Sequence, residues 1–128
     1  MPDFWSKKRV LLVEDEEESA GRVKEFLGPT GCRIEVVSDG PSALARARES
    51  PAPDLIILDV LIPKMSGFRV ARLLKFDEKS KKIPILMLTV LGEASDREKG
   101  KAVGVDCYLT KPVVETELLE AVRKLVDG

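Results

Sequence analysis

The chain has 128 residues, 44% hydrophobic and 34% charged, with a formal net charge of -1. That length suits one compact domain with its own core. The near-neutral balance gives no field to draw nucleic acid or a membrane surface. The absence of histidine excludes a Ser-His-Asp or Cys-His site, a His-ligated zinc and a phosphohistidine.

Residues 1–8 form a polar, basic lead-in to a single domain spanning 1–128, and carry Phe4, Trp5, Lys7 and Lys8. Trp5 either packs locally or offers a contact surface. No 18-residue apolar stretch and no signal peptide are visible, so the expected address is the cytoplasm. Cys32 and Cys107 lack CxxC spacing and are expected to be reduced thiols.

The first strand is Arg9 to Glu14, centred on Val10-Leu11-Leu12-Val13. A helix follows with Ala20, Val23 and Leu27 on one face, stopped at Gly28-Pro29. Ile34 and Val36 alternate with Arg33 and Glu35, a half-exposed strand suited to a sheet edge. Gly40-Pro41 opens a second helix, whose apolar face is Ala43, Leu44 and Ala47. Pro51 and Pro53 precede a third strand, Asp54-Leu55-Ile56-Ile57-Leu58-Asp59. Its short apolar run predicts burial on both faces. Val70, Leu73 and Leu74 mark a third helix, and Asp77 to Lys82 reads as a solvated loop. Ile83 to Leu88 is the fourth strand, with Pro84 at its start. Ala94 to Val103 is a weak helix, Val105 to Leu109 the fifth strand, and Leu118, Ala121, Val122 and Leu125 the face of a closing helix.

Alternating strands and helices predict an α/β fold, a parallel sheet flanked by helices with right-handed crossovers. Five strands with a polar one second suit a (βα)5 doubly wound, flavodoxin-like sheet of order 2-1-3-4-5. Strands one and three then adjoin at the switch point, so the residues ending them meet. Glu16 to Glu18 match the dipole of a helix N-terminus. Glu14 and Asp15 instead sit at a strand end beside Asp59. Three converging carboxylates call for a cation, and an oxygen donor set completed by water suits Mg²⁺. A raised pKa is the alternative without metal. Thr89 ends the fourth strand and Lys111 the fifth. Taken separately, they are a strand residue and a surface lysine. Beside a carboxylate nucleophile and a cation they compose a phosphoryl-transfer site.

These pieces, Val10 to Asp15, Asp54 to Asp59 with Pro63 and Gly67, Leu88-Thr89, and Val105 to Pro112, resemble in order and spacing the receiver domain of bacterial response regulators. The similarity is to the single-domain chemotaxis type and covers essentially the whole chain. The resemblance implies that Asp59 accepts a phosphoryl group from a histidine kinase or histidine phosphotransfer protein. It implies that Glu14, Asp15, Asp59 and the backbone carbonyl of Leu61 bind Mg²⁺, and that Lys111 pairs with the phosphoryl oxygens. Thr89 would move to hydrogen-bond them, Tyr108 would turn inward, and the Lys111-Pro112 bond would be cis. The partner side would be an output domain or downstream protein, with a possible homodimer through the fourth helix, fifth strand and fifth helix. The domain would catalyse its own phosphorylation and dephosphorylation alone, and so is not expected to be an enzyme in the ordinary sense.

Two departures stand out. Val90 follows Thr89 where the family usually carries a small residue, and its stiff bulk is expected to narrow access to Asp59. Val113 and Val114 replace the usual aromatic and capping residues, so the last helix is expected to fray at its start, by roughly 1 kcal/mol. The alternative reading is a pseudo-receiver that works by protein contacts without phosphorylation. A haloacid-dehalogenase-like phosphatase would need a second acid two positions after Asp59, where Leu61 stands. A flavin carrier would meet repulsion from Glu14 to Glu18. The chain is expected to be either a single-domain regulator or a receiver from a longer protein.

Overall fold

The structure is a computed structural model and describes residues 5–127. Phe4 of the lead-in lies outside them. Among the described residues, five strands alternate with helices: β1 Arg9–Val13, α1 Glu17–Leu27, β2 Arg33–Val37, α2 Gly40–Ala47, β3 Leu55–Leu58, α3 Gly67–Phe76, β4 Ile85–Thr89, α4 Ala94–Ala102, β5 Cys107–Thr110 and α5 Glu115–Asp127. All pairings are parallel, in the order β2-β1-β3-β4-β5, as the alternation of elements predicts.

The period-2 geometry of strands divides the core in two. Val10, Leu12, Leu55, Ile57, Leu86 and Leu88 face one way, against Ala20, Val23 and Leu27 of α1 and Leu118 and Val122 of α5. Leu11, Val13, Ile56, Leu58, Ile85 and Met87 face the other, against Ala43 and Ala47 of α2 and Val70 and Leu74 of α3. Each fully buried aliphatic side chain contributes roughly 1.5–3 kcal/mol. The three central strands are therefore the rigid part of the scaffold. Trp5 is 8% exposed and packs in the first of these layers, which decides between its two readings. Of the five α-helices α4 is the least buried: among the described residues it buries Gly100 alone, where the others bury three or more.

Several boundaries differ from the sequence reading. β4 begins at Ile85, not Ile83, because the Ile83 N–H bonds back to the Ser80 carbonyl at 3.0 Å and Pro84 has no N–H to offer. β5 begins at Cys107, not Val105. The Val105 N–H still serves the Gly100 carbonyl at 3.1 Å, and Gly104, at φ +93, makes the turn out of α4. The 77–82 loop is more than solvated: Ser80 is 1% exposed, its hydroxyl donates to the Leu74 carbonyl at 2.8 Å, and Arg48 holds Asp77 at 2.6 Å. After α1, Gly28–Thr30 adds a short 3-10 turn in which the Thr30 hydroxyl donates to the Leu27 carbonyl at 2.6 Å. Among the described residues, no helix is long and apolar enough to cross a membrane.

Candidate functional site

The register fixes the site. Val13 of β1 pairs with Leu58 of β3, so the next residue on each strand, Glu14 and Asp59, emerges at the same sheet edge. The Glu14 N–H reaches the Val37 carbonyl at 3.0 Å and the Asp59 N–H the Val13 carbonyl at 3.2 Å, so both side chains start from a hydrogen-bonded backbone. Lys111 follows β5 directly, with its N–H on the Thr89 carbonyl at 2.8 Å. Its side chain reaches back across the strand ends. The ammonium donates to Glu14 Oε1 at 2.7 Å and to Asp59 Oδ2 at 2.8 Å. The three side chains are 11%, 4% and 6% exposed, so little water competes with this pairing.

The sequence reading has three carboxylates converging on a cation. The structure brings two of them, Glu14 and Asp59, onto Lys111, while Asp15 is exposed and stands on the wall of the adjoining cleft. Among the described residues, no group of three or more carboxylates or thiols is gathered closely enough to hold a metal ion without rearranging. A buried ammonium between the two buried carboxylates supplies positive charge where they converge. The donor chemistry still fits a hard divalent ion. Glu14, Asp15, Asp59 and Leu61 line one open cleft of about 420 Å³, and all of them offer oxygen, the ligand type that Mg²⁺ prefers.

Burial pushes the Glu14 carboxyl above its ordinary value of 4.5; the Asp59 charge adds to this and the Lys111 hydrogen bond opposes it. For Lys111, desolvation works to lower the value, but the hydrogen bonds to Asp59 and Glu14 and their charges win, so its pKa is raised above 10.5. The ammonium therefore stays protonated throughout the neutral range.

The remaining residues fall around this triad. The Leu61 N–H donates to Asp59 Oδ1 at 3.1 Å, so the backbone at 61 touches the carboxylate through its amide. Val90 is 59% exposed and lines the cleft together with Asp59 and Lys111. Thr89 is fully buried, and its Oγ1 accepts the Leu91 N–H at 3.4 Å. The Tyr108 hydroxyl donates to the Leu91 carbonyl at 2.6 Å. Thr89 and Tyr108 thus hold the two sides of a single residue, Leu91. The Tyr108 ring lies 5.2 Å below the Arg97 guanidinium, and burial raises its phenol pKa. The Lys111-Pro112 bond is cis.

Two residues contribute to the site in ways that the sequence reading did not assign to them. Glu16, read as a match to the helix dipole, also approaches Lys111 at 3.8 Å, and its N–H donates to Glu14 Oε2 at 3.2 Å. Gly67, named in the sequence only as one of the matching pieces, starts α3 directly against the strand end. A Cβ there would collide with the Asp59 carbonyl oxygen and come within 2.7 Å of Val60 Cα. A glycine just after a helix-capping serine, Ser66, was the available sign of that close approach.

A doubly wound sheet whose switch point carries a lysine-bound pair of acids defines a class of α/β protein with an anion-handling, acidic site beyond its strand ends. Comparison with known proteins gives the class its family. The profile of the response regulator receiver domain matches residues 10–123, and the chain belongs to that family. It is 39% identical over 118 residues to the DNA-binding dual master transcriptional regulator RpaA of Synechocystis, covering 92% of this chain and 48% of that protein. The chain spans about half the length, or less, of the curated relatives it matches. Among solved structures, a putative response regulator from Chloroflexus aurantiacus aligns with a TM-score of 0.89 at 29% identity, covering 94% of this chain and 98% of that one. The receiver domain of sensor histidine kinase PA1611 from Pseudomonas aeruginosa aligns with a TM-score of 0.86 at 28% identity over 94% and 98% of the two chains, and holds a magnesium ion in its active site cleft.

Proposed function

We propose that this receiver domain of a two-component system takes a phosphoryl group on Asp59 from the phosphohistidine of a histidine kinase or phosphotransfer protein. One Asp59 oxygen forms the O–P bond as the P–N bond of the donor breaks and its imidazole leaves. The observation that carries the reading is a carboxylate 5% exposed that still lines an open cleft and is tied to a buried ammonium at 2.8 Å. Such a group is accessible to a donor and is already paired with a cation that can follow the charge onto the phosphoryl oxygens. Mg²⁺, when bound, supplies further neutralisation of that charge; Glu14, Asp15, Asp59 and the Leu61 carbonyl would hold it. The domain catalyses the gain and loss of its own acylphosphate and acts on no other substrate, which keeps it apart from ordinary enzymes.

The chain's own residues supply the switch. The Thr89 hydroxyl accepts from Leu91 and keeps its proton free to donate. A phosphoryl group on Asp59 offers it an acceptor. Movement of Thr89 then disturbs the Leu91 N–H, and Leu91 is the residue that the Tyr108 hydroxyl holds through its carbonyl. The change is passed to β5 and to α4, the least buried of the five α-helices. Output partners, or a second copy, would read the face of α4, β5 and α5. The same reading assigns the domain to the cytoplasm, beside its phosphodonor, with no direct role in binding nucleic acid or membrane.

The test is incubation with acetyl phosphate and Mg²⁺, read by intact mass. One phosphoryl group is expected on the wild type and none on Asp59→Asn. The rival, a phosphorylation-independent interaction module, draws support from Val90 at the cleft rim and from Lys111 being fully paired. It prevails if no phosphoryl group is gained from acetyl phosphate or from phosphorylated kinase.

A further inference from the structure

At the opposite end of the sheet, three arginines gather where one carboxylate serves them. Arg9 and Arg33 are register partners at the starts of β1 and β2, so their side chains leave the sheet on the same face. Arg46 comes down from α2 onto that face. Together with Glu35 and Pro53 they line a hollow of about 70 Å³. Arg46 Nε donates to Glu35 Oε1 at 2.7 Å. Its Nη1 is buried and has no hydrogen-bond partner among the described residues. Among the described residues, neither Arg9 nor Arg33 forms a side-chain ion pair. The other carboxylate at this edge, Asp54, spends Oδ2 on the Arg9 backbone N–H at 2.8 Å and does not line the hollow.

A desolvated guanidinium N–H without an acceptor is costly, and three guanidiniums outnumber the nearby acids even with Asp54 counted. The shape supplies the rest. The hollow, of about 70 Å³, far exceeds the roughly 15 Å³ that one water requires. Guanidinium forks match the oxygens of a tetrahedral anion. We infer that Arg9, Arg33 and Arg46 form a binding site for one small tetrahedral oxyanion, inorganic phosphate or the phosphate end of a monoester. It is separate from the Asp59 cleft, because β1 spans five residues between them, roughly 16 Å of strand. A bound anion would tie the edge strand β2 to β1 and α2.

The test is a titration of isotope-labelled protein, followed by amide NMR at fixed ionic strength, with sodium phosphate, sodium sulfate, a nucleoside monophosphate and a chloride control. Phosphate is expected to give saturable shifts centred on Arg9, Arg33 and Arg46. Saturation by phosphate and sulfate alone identifies the free ion as ligand; tighter binding of the monophosphate identifies the monoester. Arg33→Gln, at an exposed position that the fold tolerates, should weaken binding at least tenfold. Arg46→Lys, which keeps the charge but loses the fork, should weaken it as well. Glu35→Gln, which removes the competing carboxylate, should tighten it several-fold, a gain that a damaged fold does not produce. Arg72→Gln, on exposed α3 surface, should change nothing. Shifts no larger than those of chloride would mean a water-filled hollow and overturn the inference. So would shifts that map to Lys111 and Asp59, or an affinity indifferent to Arg33→Gln.

Discussion

Replacing Lys111 by Met keeps the length and apolar stem of the side chain and removes its charge. Glu14 and Asp59 are then two nearly buried carboxylates that have lost their shared donor. Removing one partner of a buried ion pair costs roughly 3–5 kcal/mol. The cluster opens onto a cleft that lets water reach the stranded acids, so the lower end, about 3 kcal/mol, is expected. At this chain length that lowers Tm by roughly 12 °C. Urea unfolding followed by fluorescence suits the measurement, because the chain has one tryptophan and Trp5 is packed in the core. The triple variant Glu14→Gln, Asp59→Asn, Lys111→Met removes the whole charged group, and it should return to within about 1 kcal/mol of wild type, since deleting a complete buried cluster is far milder than breaking it. A Lys111→Met protein within about 0.5 kcal/mol of wild type, or a triple variant no more stable than the single, would refute the claim that the lysine is what holds these acids in place.

Gly67→Ala should destabilise by about 2 kcal/mol, as expected when a methyl is forced against backbone that has nowhere to go, and should slow phosphorylation by displacing Asp59; unfolding midpoints and acetyl phosphate kinetics check both. Val90→Ala should speed phosphorylation by acetyl phosphate with stability changed by less than about 0.5 kcal/mol, because Val90 is largely exposed at the cleft rim; unchanged kinetics discards its gating role. Glu14 has a folded-state pKa above 4.5, so the native state binds more protons than the unfolded state in that window, and its contribution to stability falls as pH rises through it. In metal-free buffer, the stability of Glu14→Gln relative to wild type should therefore grow in the variant's favour from pH 4.5 towards neutrality, and a pH-independent difference would contradict the assigned shift.

The sheet was readable in the chain because its signal is local. Leu55 to Leu58 is apolar at every position and buried at every position, while Arg33 to Val37 alternates and lies half exposed at the sheet edge. Those two patterns, with the alternation of elements, were enough to order the strands, and strand order alone puts Glu14 beside Asp59. The boundaries were harder. The starts of β4 and β5 are set by hydrogen bonds to residues in the preceding turns, Ser80 and Gly100. No property of Ile83 or Val105 as amino acids reveals those partners. Ser80 looked like one more polar residue in a charged loop because its burial depends on the Leu74 carbonyl six positions away.

The site was legible in membership, while the placing of Lys111 between two of its acids was not, and the cause is one of reach. Counting acids at strand ends gives a surplus of negative charge, and a metal is the natural remedy when the chain is read as a line. Lys111 is 97 residues from Glu14, and nothing local says that its four-carbon stem crosses the sheet edge to lie between two acids. Lys111 reaches both, at 2.7 and 2.8 Å, so on the proposed function its ammonium and a divalent ion would share the same acids. A divalent ion entering the cleft meets acids that are already partnered, so it must share them with Lys111 or draw them away. On the proposed function, a phosphoryl group on Asp59 would relieve that competition, because its oxygens would give the ammonium and the ion separate acceptors. The resting domain is accordingly expected to bind the ion weakly and the phosphorylated domain more tightly, and the same coupling makes the ion favour the phosphorylated state by an equal factor.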